Sequence, residues 1–176
     1  MADVVSSETR SRMMSGIRSE NTIPEITVRK GLHARGFRFR LHYPGLPGTP
    51  DLVFPKYRAV IFVHGCFWHA HECALFKWPK TRADFWKEKI GKNRIRDLAV
   101  MEKLALQGWR VLLVWECALK GKERRSIDEI VDSCAEWLFS SSKKSEIRGQ
   151  HATIDTAITH AKQGLPNDVL ESTCSK

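Results

Sequence analysis

The chain has 176 residues, 42% of them hydrophobic, and carries a formal net charge of +9. That length fits one domain with a real core, and apolar runs of at most five residues fall far short of the roughly 20 needed to cross a membrane. The polar N-terminus lacks the apolar segment of a secretory signal, which sets the expectation of a cytoplasmic protein. There, clustered cysteines are read as metal ligands rather than disulfides.

In chain order, residues 1–20 are polar, with Arg10, Arg12 and Arg18 around Met13-Met14, and are read as an arm or short helix. Thr22-Ile23-Pro24-Glu25 is a capping-box signature that opens a helix closed at Gly36. Phe37 to His42 alternates at period two and is expected as a strand. A Pro/Gly-rich loop, Tyr43 to Pro50, precedes a short apolar strand over 51–54, a turn over 55–57 and a buried strand over 58–63. Thr81 to Ile90 and Asn93 to Gln107 are expected as two helices. In the second, Ile95, Leu98, Met101 and Ala105 recur at helical spacing, and Gly108 closes it. Trp109 to Trp115 is nearly continuous in apolar character, which predicts a central strand covered on both faces. Ser126-Ile127-Asp128-Glu129 caps a last helix running to Phe139. The expected division is an arm over 1–20, a folded domain over 21–139 and a disordered tail over 140–176. The order of elements predicts an α/β layer with a mixed sheet. Neither a dinucleotide fingerprint nor a phosphate-binding loop occurs.

The excess positive charge is concentrated, since Lys77 to Arg110 holds ten Lys/Arg against four acids. This favours a nucleic-acid partner over a membrane. Beside that segment lies the densest chemistry, His64-Gly65-Cys66-Phe67-Trp68-His69-Ala70-His71-Glu72-Cys73, at the end of the 58–63 strand. Cys66, His71 and Cys73 have the short spacing of a local zinc-ligand group. Cys117, just beyond the Trp109–Trp115 strand, is the fourth candidate, because sheet neighbours bring distant loops together at their shared ends. Cys134 falls on the apolar face of the last helix and reads as a core residue. Four protein ligands would make a closed site, with zinc in a structural role; the alternative is that Cys66, Cys73 and Cys117 are buried thiols like Cys134.

His64 and His69 are then left over. Asp51 stands at the mouth of the neighbouring strand, and a carboxylate with imidazoles can hold a hard metal and activate water for phosphodiester hydrolysis. Glu25 is accounted for by its capping box. Phe67 and Trp68, raised on a metal-stiffened loop, either stack on bases or pack as a satellite core. Met13-Met14 on the basic arm is either a second wedge or the apolar face of a docked helix.

Four segments together resemble the very short patch repair (Vsr) endonucleases. They are Pro50-Asp51, Val60 to His69, Phe85 to Asn93, and Gly108 to Leu119. The resemblance covers roughly residues 1–139 and implies a restriction-endonuclease-like (PD-(D/E)xK-type) three-layer core with structural Zn²⁺. It further implies a Mg²⁺-dependent nick 5′ to the mispaired T of a T:G mismatch in double-stranded DNA. Such mismatches arise by deamination of 5-methylcytosine, so a DNA cytosine methyltransferase and downstream repair factors are the implied functional partners. A monomer at the nucleoid is expected. In that family a Phe-x-His element, here Phe62-Val63-His64, replaces the second half of the nuclease motif. Carried over by position, Asp51 and the backbone carbonyl of Val63 bind Mg²⁺. His64 and His69 work on the phosphate and the attacking water, and Glu25 acts from an outer shell. Phe67 and Trp68 intercalate, and Met14 wedges from the opposite groove. Val63 stands where many members carry Thr, which keeps the carbonyl and loses a hydroxyl, and Ala70 interrupts what is often a longer histidine run. The same charge and aromatics would also serve a zinc-stabilised DNA-binding module without catalysis, or a restriction-type nuclease without mismatch preference.

Overall fold

Strands with alternate residues buried on opposite faces require cover on both sides, and that requirement organises the molecule. A computed structural model describes residues 20–150, together with Ser6, Glu8, Thr9 and Arg12. The elements are α1 (Ile23–Ala34), β1 (Arg40–Leu41), β2 (Leu52–Phe54), a 3₁₀ turn (Pro55–Tyr57), β3 (Ala59–His64), α2 (Ala83–Leu106), β4 (Arg110–Trp115), α3 (Glu116–Leu119), α4 (Ile127–Phe139) and β5 (Lys144–Ile147). The five strands form one mixed sheet in the order β1-β2-β3-β4-β5. β1, β2 and β3 pair antiparallel, while β3, β4 and β5 pair parallel.

The period-two alternation of strand side chains divides the interior. Leu52, Phe54, Ile61, Val63, Leu112 and Val114 pack beneath α1 and α4, against Val28, Leu32, Ile130, Val131 and Leu138. Val53, Val60, Phe62, Val111, Leu113 and Trp115 face the other way, toward Leu104 of α2. Helices thus cover both faces of the sheet. Gly31 lets α1 approach α4 closely, since a Cβ there would lie 2.4 Å from a methyl of Val131.

Both caps read from the sequence are present. The Thr22 hydroxyl accepts the Glu25 N–H, and Ser126 forms the full reciprocal box with Glu129. Four expectations need correction. Residues 83–106 form one helix, because a single interior glycine, Gly91, costs only about 1 kcal/mol and Ile90 and Leu104 anchor the helix on either side of it. Its buried face is not the predicted one: Ile95 is 71% and Leu98 66% exposed. A 24-residue helix is about 36 Å long, whereas a six-residue strand spans about 20 Å, so much of α2 overhangs the sheet. The Phe37–His42 segment pairs only over Arg40–Leu41. Its apolar face is used instead in an aromatic cluster, where Phe37 meets Phe54, Tyr57 and Phe139. Finally, the polar segment expected to begin a disordered tail at Ser140 supplies β5, since an edge strand needs only main-chain pairing and one inward apolar residue, here Ile147. Residues 151–176 lie outside the described residues.

The turn into β5 is held by Arg110. Its guanidinium donates to the carbonyls of Trp137 (3.1 Å), Leu138 (2.8 Å) and Ser140 (2.8 Å), the groups a helix C-terminus leaves unpaired, and it lies 4.8 Å from the Trp137 ring centroid. Arg110→Met is expected to lower unfolding stability by about 3 kcal/mol, read by urea denaturation, with Arg110→Lys recovering less than half because it lacks the planar fork. A loss below about 1 kcal/mol would show that the staple contributes little.

Candidate functional site

Parallel pairing of β3 with β4 sets His64 opposite Trp115, so the loops that follow both strands meet. The ligating atoms of Cys66, His71, Cys73 and Cys117 lie within 4.8 Å of one another. His71 Nδ1 is 3.6 Å from the sulfur of Cys66 and 3.6 Å from that of Cys117. Tetrahedral zinc, with Zn–S about 2.3 Å and Zn–N about 2.0 Å, requires a donor separation of roughly 3.5 Å. Burial pushes the thiols of Cys66 and Cys117 up, and the neighbouring thiols add to this. The Cys66 and Cys117 thiols, so raised, would give up their protons readily only to a cation placed between them. Two main-chain donors already point at sulfur: Cys117 N–H bonds Cys66 Sγ and Gly149 N–H bonds Cys117 Sγ, each at 3.3 Å. Gly149 must be glycine, since a Cβ there would lie 2.8 Å from the Cys117 carbonyl oxygen. The donor set can hold a metal ion and suits zinc.

The second centre uses the same sheet face. His64 shares the parity of Val60 and Phe62 on β3, and Asp51 that of Val53 on β2, so both reach the α2 side. Asp51, Val63, His64, His69 and Glu25 line one cavity of about 300 Å³, together with Glu20, His42, Arg96 and Asp97. Asp51 Oδ2 accepts the Val63 N–H at 2.7 Å. Burial lifts the Asp51 carboxyl to about 7, and Glu25 and Glu20 push it the same way. Burial holds the His64 imidazole down to about 3, with His69 adding to the effect, so His64 is neutral near pH 7. The His64 and His69 rings stack at 3.8 Å. His69 Nδ1 bonds Asp97 Oδ2 at 2.5 Å. Glu25 accepts the Asn21 N–H at 2.8 Å and the Thr22 hydroxyl at 2.7 Å, so its cap and its place in the cavity coexist.

Asp97 and His42 were not singled out from the sequence. Asp97 carried a readable signal, because Asn93, Arg96, Asp97 and Val100 recur at helical spacing along one face. His42 lies between two carboxylates, with Nδ1 3.7 Å from Asp51 Oδ1 and Nε2 3.8 Å from Glu25 Oε2. Only the folding of β1 against β2 brings it there.

Phe67 and Trp68 are half-buried and belong to neither main core cluster. Phe67 packs 5.2 Å from Trp86, and Trp68 lies 6.0 Å from Trp86. The cluster continues through Phe85, 41% exposed, and through Phe76 to Trp78, 51% exposed. Lys89 Nζ sits 5.4 Å from the Trp68 centroid. Asn93 Nδ2 donates to the Trp68 carbonyl at 3.0 Å and ties the loop to α2. Met14 lies outside the described residues.

A family model described as DNA mismatch endonuclease Vsr matches residues 2–75. The chain is 45% identical over 150 residues to the DNA mismatch endonuclease Vsr of Escherichia coli (strain K12), an alignment covering 85% of this chain and 96% of that protein. It is 54% identical over 119 residues to the type II nicking enzyme V.XorIIP of Xanthomonas oryzae pv. oryzae, covering 68% and 88%. It is 45% identical over 122 residues to the type II nicking enzyme V.NmeAIP of Neisseria meningitidis serogroup A, covering 69% and 87%. No described helix is long and apolar enough to cross a membrane.

Two outcomes follow from this geometry. Cys117→Ser is expected to abolish stoichiometric zinc in the purified protein by elemental analysis, with a fall in Tm; one zinc per chain in the variant would remove Cys117 from the donor set. The second concerns pH. Because the folded-state value of Asp51 is raised to about 7, its contribution to stability is full below about pH 4 and is lost as pH rises through 7. Without added Mg²⁺, Asp51→Asn should therefore be more stable than the parent at pH 8 by on the order of 3 kcal/mol, the gap closing near pH 4. A pH-independent difference would show that Asp51 titrates normally.

Proposed function

The chain belongs to the Vsr family of DNA mismatch endonucleases and is a nuclease acting on phosphodiester bonds; on that premise we propose that it nicks one strand 5′ to the mispaired T of T:G mismatches. These mismatches are the product of 5-methylcytosine deamination, and the nick initiates very short patch repair. The observation that carries this reading is one cavity where Asp51, Glu25, His64 and a carboxylate-paired His69 converge beside a half-exposed aromatic cluster.

Asp51 and the backbone carbonyl of Val63 are the groups that would hold Mg²⁺, and Glu25 acts from an outer position. When bound, such a cation neutralises charge at the phosphate and lowers the pKa of its water. Asp97 holds the imidazole of His69 by Nδ1, which leaves the other ring nitrogen to take the proton of the attacking water. His64, kept neutral by burial, faces the phosphate without adding charge. Cys66, His71, Cys73 and Cys117 hold structural Zn²⁺ and stiffen the loop between them. Phe67 and Trp68 enter the base stack from one groove, and Met14 wedges from the other. The two-sided sheet is read as a restriction-endonuclease-like, PD-(D/E)xK-type core. The domain spans 21–139 extended through β5, with the arm over 1–20 on the DNA. The protein works as a monomer at the nucleoid, paired functionally with a DNA cytosine methyltransferase and the downstream repair factors.

A T:G duplex and matched T:A and C:G controls, each with Mg²⁺ or EDTA, test the reading. A single-strand cut is expected only with the mismatch and Mg²⁺. Asp51→Asn should reduce nicking by about 10³-fold while leaving duplex affinity within about threefold. Cutting of matched duplex would instead support a restriction-type nuclease, and binding without cutting a non-catalytic DNA-binding module.

A further inference from the structure

Among the described residues, one buried indole touches both the thiol cluster and the histidine pair. Trp115 stacks on His71 with centroids 4.1 Å apart and planes 15° apart. It meets His64 edge to face at 5.5 Å and 74°, and His69 at 6.3 Å and 72°. A buried indole N–H needs an acceptor. Here Nε1 donates to Glu146 Oε2 on β5 at 2.8 Å, and Arg148 steadies the carboxylate through Oε1 at 2.6 Å.

His64 depends on its neighbours for orientation. Its Nδ1 has no hydrogen-bond partner among the described residues, so the ring is located by packing against Phe62, His69 and Trp115. A tether on the Trp115 ring is therefore a tether on the pair. We propose that Glu146 is a positioning residue for strand cleavage, setting the orientation of the His64–His69 pair through the indole of Trp115. The inference rests on the reading of those two histidines as the groups that act on phosphate and water. Without Glu146, whose side chain is 41% exposed, the indole N–H would exchange a fixed carboxylate acceptor for mobile water, which frees the ring to rotate. Such a rotation carries the ring edge away from His64, and a misplacement of about 1 Å slows an aligned reaction severely.

The test is nicking of a T:G duplex by the zinc-loaded full chain and its Glu146→Ala, Glu146→Gln, Trp115→Phe and Glu146→Ala/Trp115→Phe variants. Glu146→Ala is expected to lower kcat about tenfold, with KM for duplex and zinc stoichiometry unchanged. Glu146→Gln, whose amide oxygen still accepts the indole N–H, should restore most of the rate. The double variant should lose no more than the worse single one, because both changes break the same bond. An unchanged kcat in Glu146→Ala, an equal loss in Glu146→Gln, loss of zinc in step with rate, or additive losses in the double variant would each overturn the proposal. His64→Ala and His69→Ala run alongside. If they keep parental nicking, the reading of the site fails and takes this role with it. If they lose it while Glu146→Ala does not, the positioning role alone fails.

Discussion

The parallel register of β3 on β4 is the constraint on which the rest depends. His64 pairs with Trp115, and Cys66 and Cys117 each stand two residues beyond that pair. Loop ends 51 residues apart in the chain are thereby set at the same height without any further instruction. The alternation of side chains does the remainder. It sends Asp51 and His64 to the face where α2 supplies Asp97, and leaves the opposite face to an apolar interior. A slip of one residue in this pairing would separate the thiols and turn the histidine toward the wrong layer.

What the sequence made legible follows from this. The four metal-binding candidates, Asp51 and the two spare histidines could be read because strand ends and ligand spacing are local signals. Partners supplied by a helix face or by chain folding were not legible in the same way. The spacing of Asn93, Arg96, Asp97 and Val100 marks a shared helix face but not what lies opposite it, and His42 reached its two carboxylates only through the β1–β2 pairing. Lys144–Ile147 has too little apolar pattern to announce a strand, because its stabilisation comes from main-chain bonds to β4. Period alone also misjudged α2. A helix longer than the sheet beneath it exposes apolar positions that an amphipathic reading assigns to the core.

The electrostatics of the two scales run in opposite directions. The body carries +9, whereas the cavity gathers Glu20, Glu25, Asp51 and Asp97 against Arg96 and three histidines. A polyanion is drawn to the outside by a field it shares with any basic protein. Inside, burial and crowded carboxylates hold the Asp51 proton up to about pH 7, so a cation beside it would favour the ionised form. Affinity for the chain of phosphates and readiness to cut one of them are therefore separable properties of the same molecule.

The overhang of α2 has a mechanical consequence. Its N-terminal half contributes no residue to either core cluster of the sheet and is steadied by Phe67 and Trp68 against Trp86, and by the Asn93 bond to the loop. It forms a cantilever whose prop is the aromatic cluster. Side chains that leave this cluster for a base stack give up contacts with one another, so the stacking they gain is a difference between two packed states rather than a transfer from water. On the proposed insertion of Phe67 and Trp68, loosening of the helix end would accompany stacking, and the stiffness of the free protein would become part of what selects a duplex that opens easily.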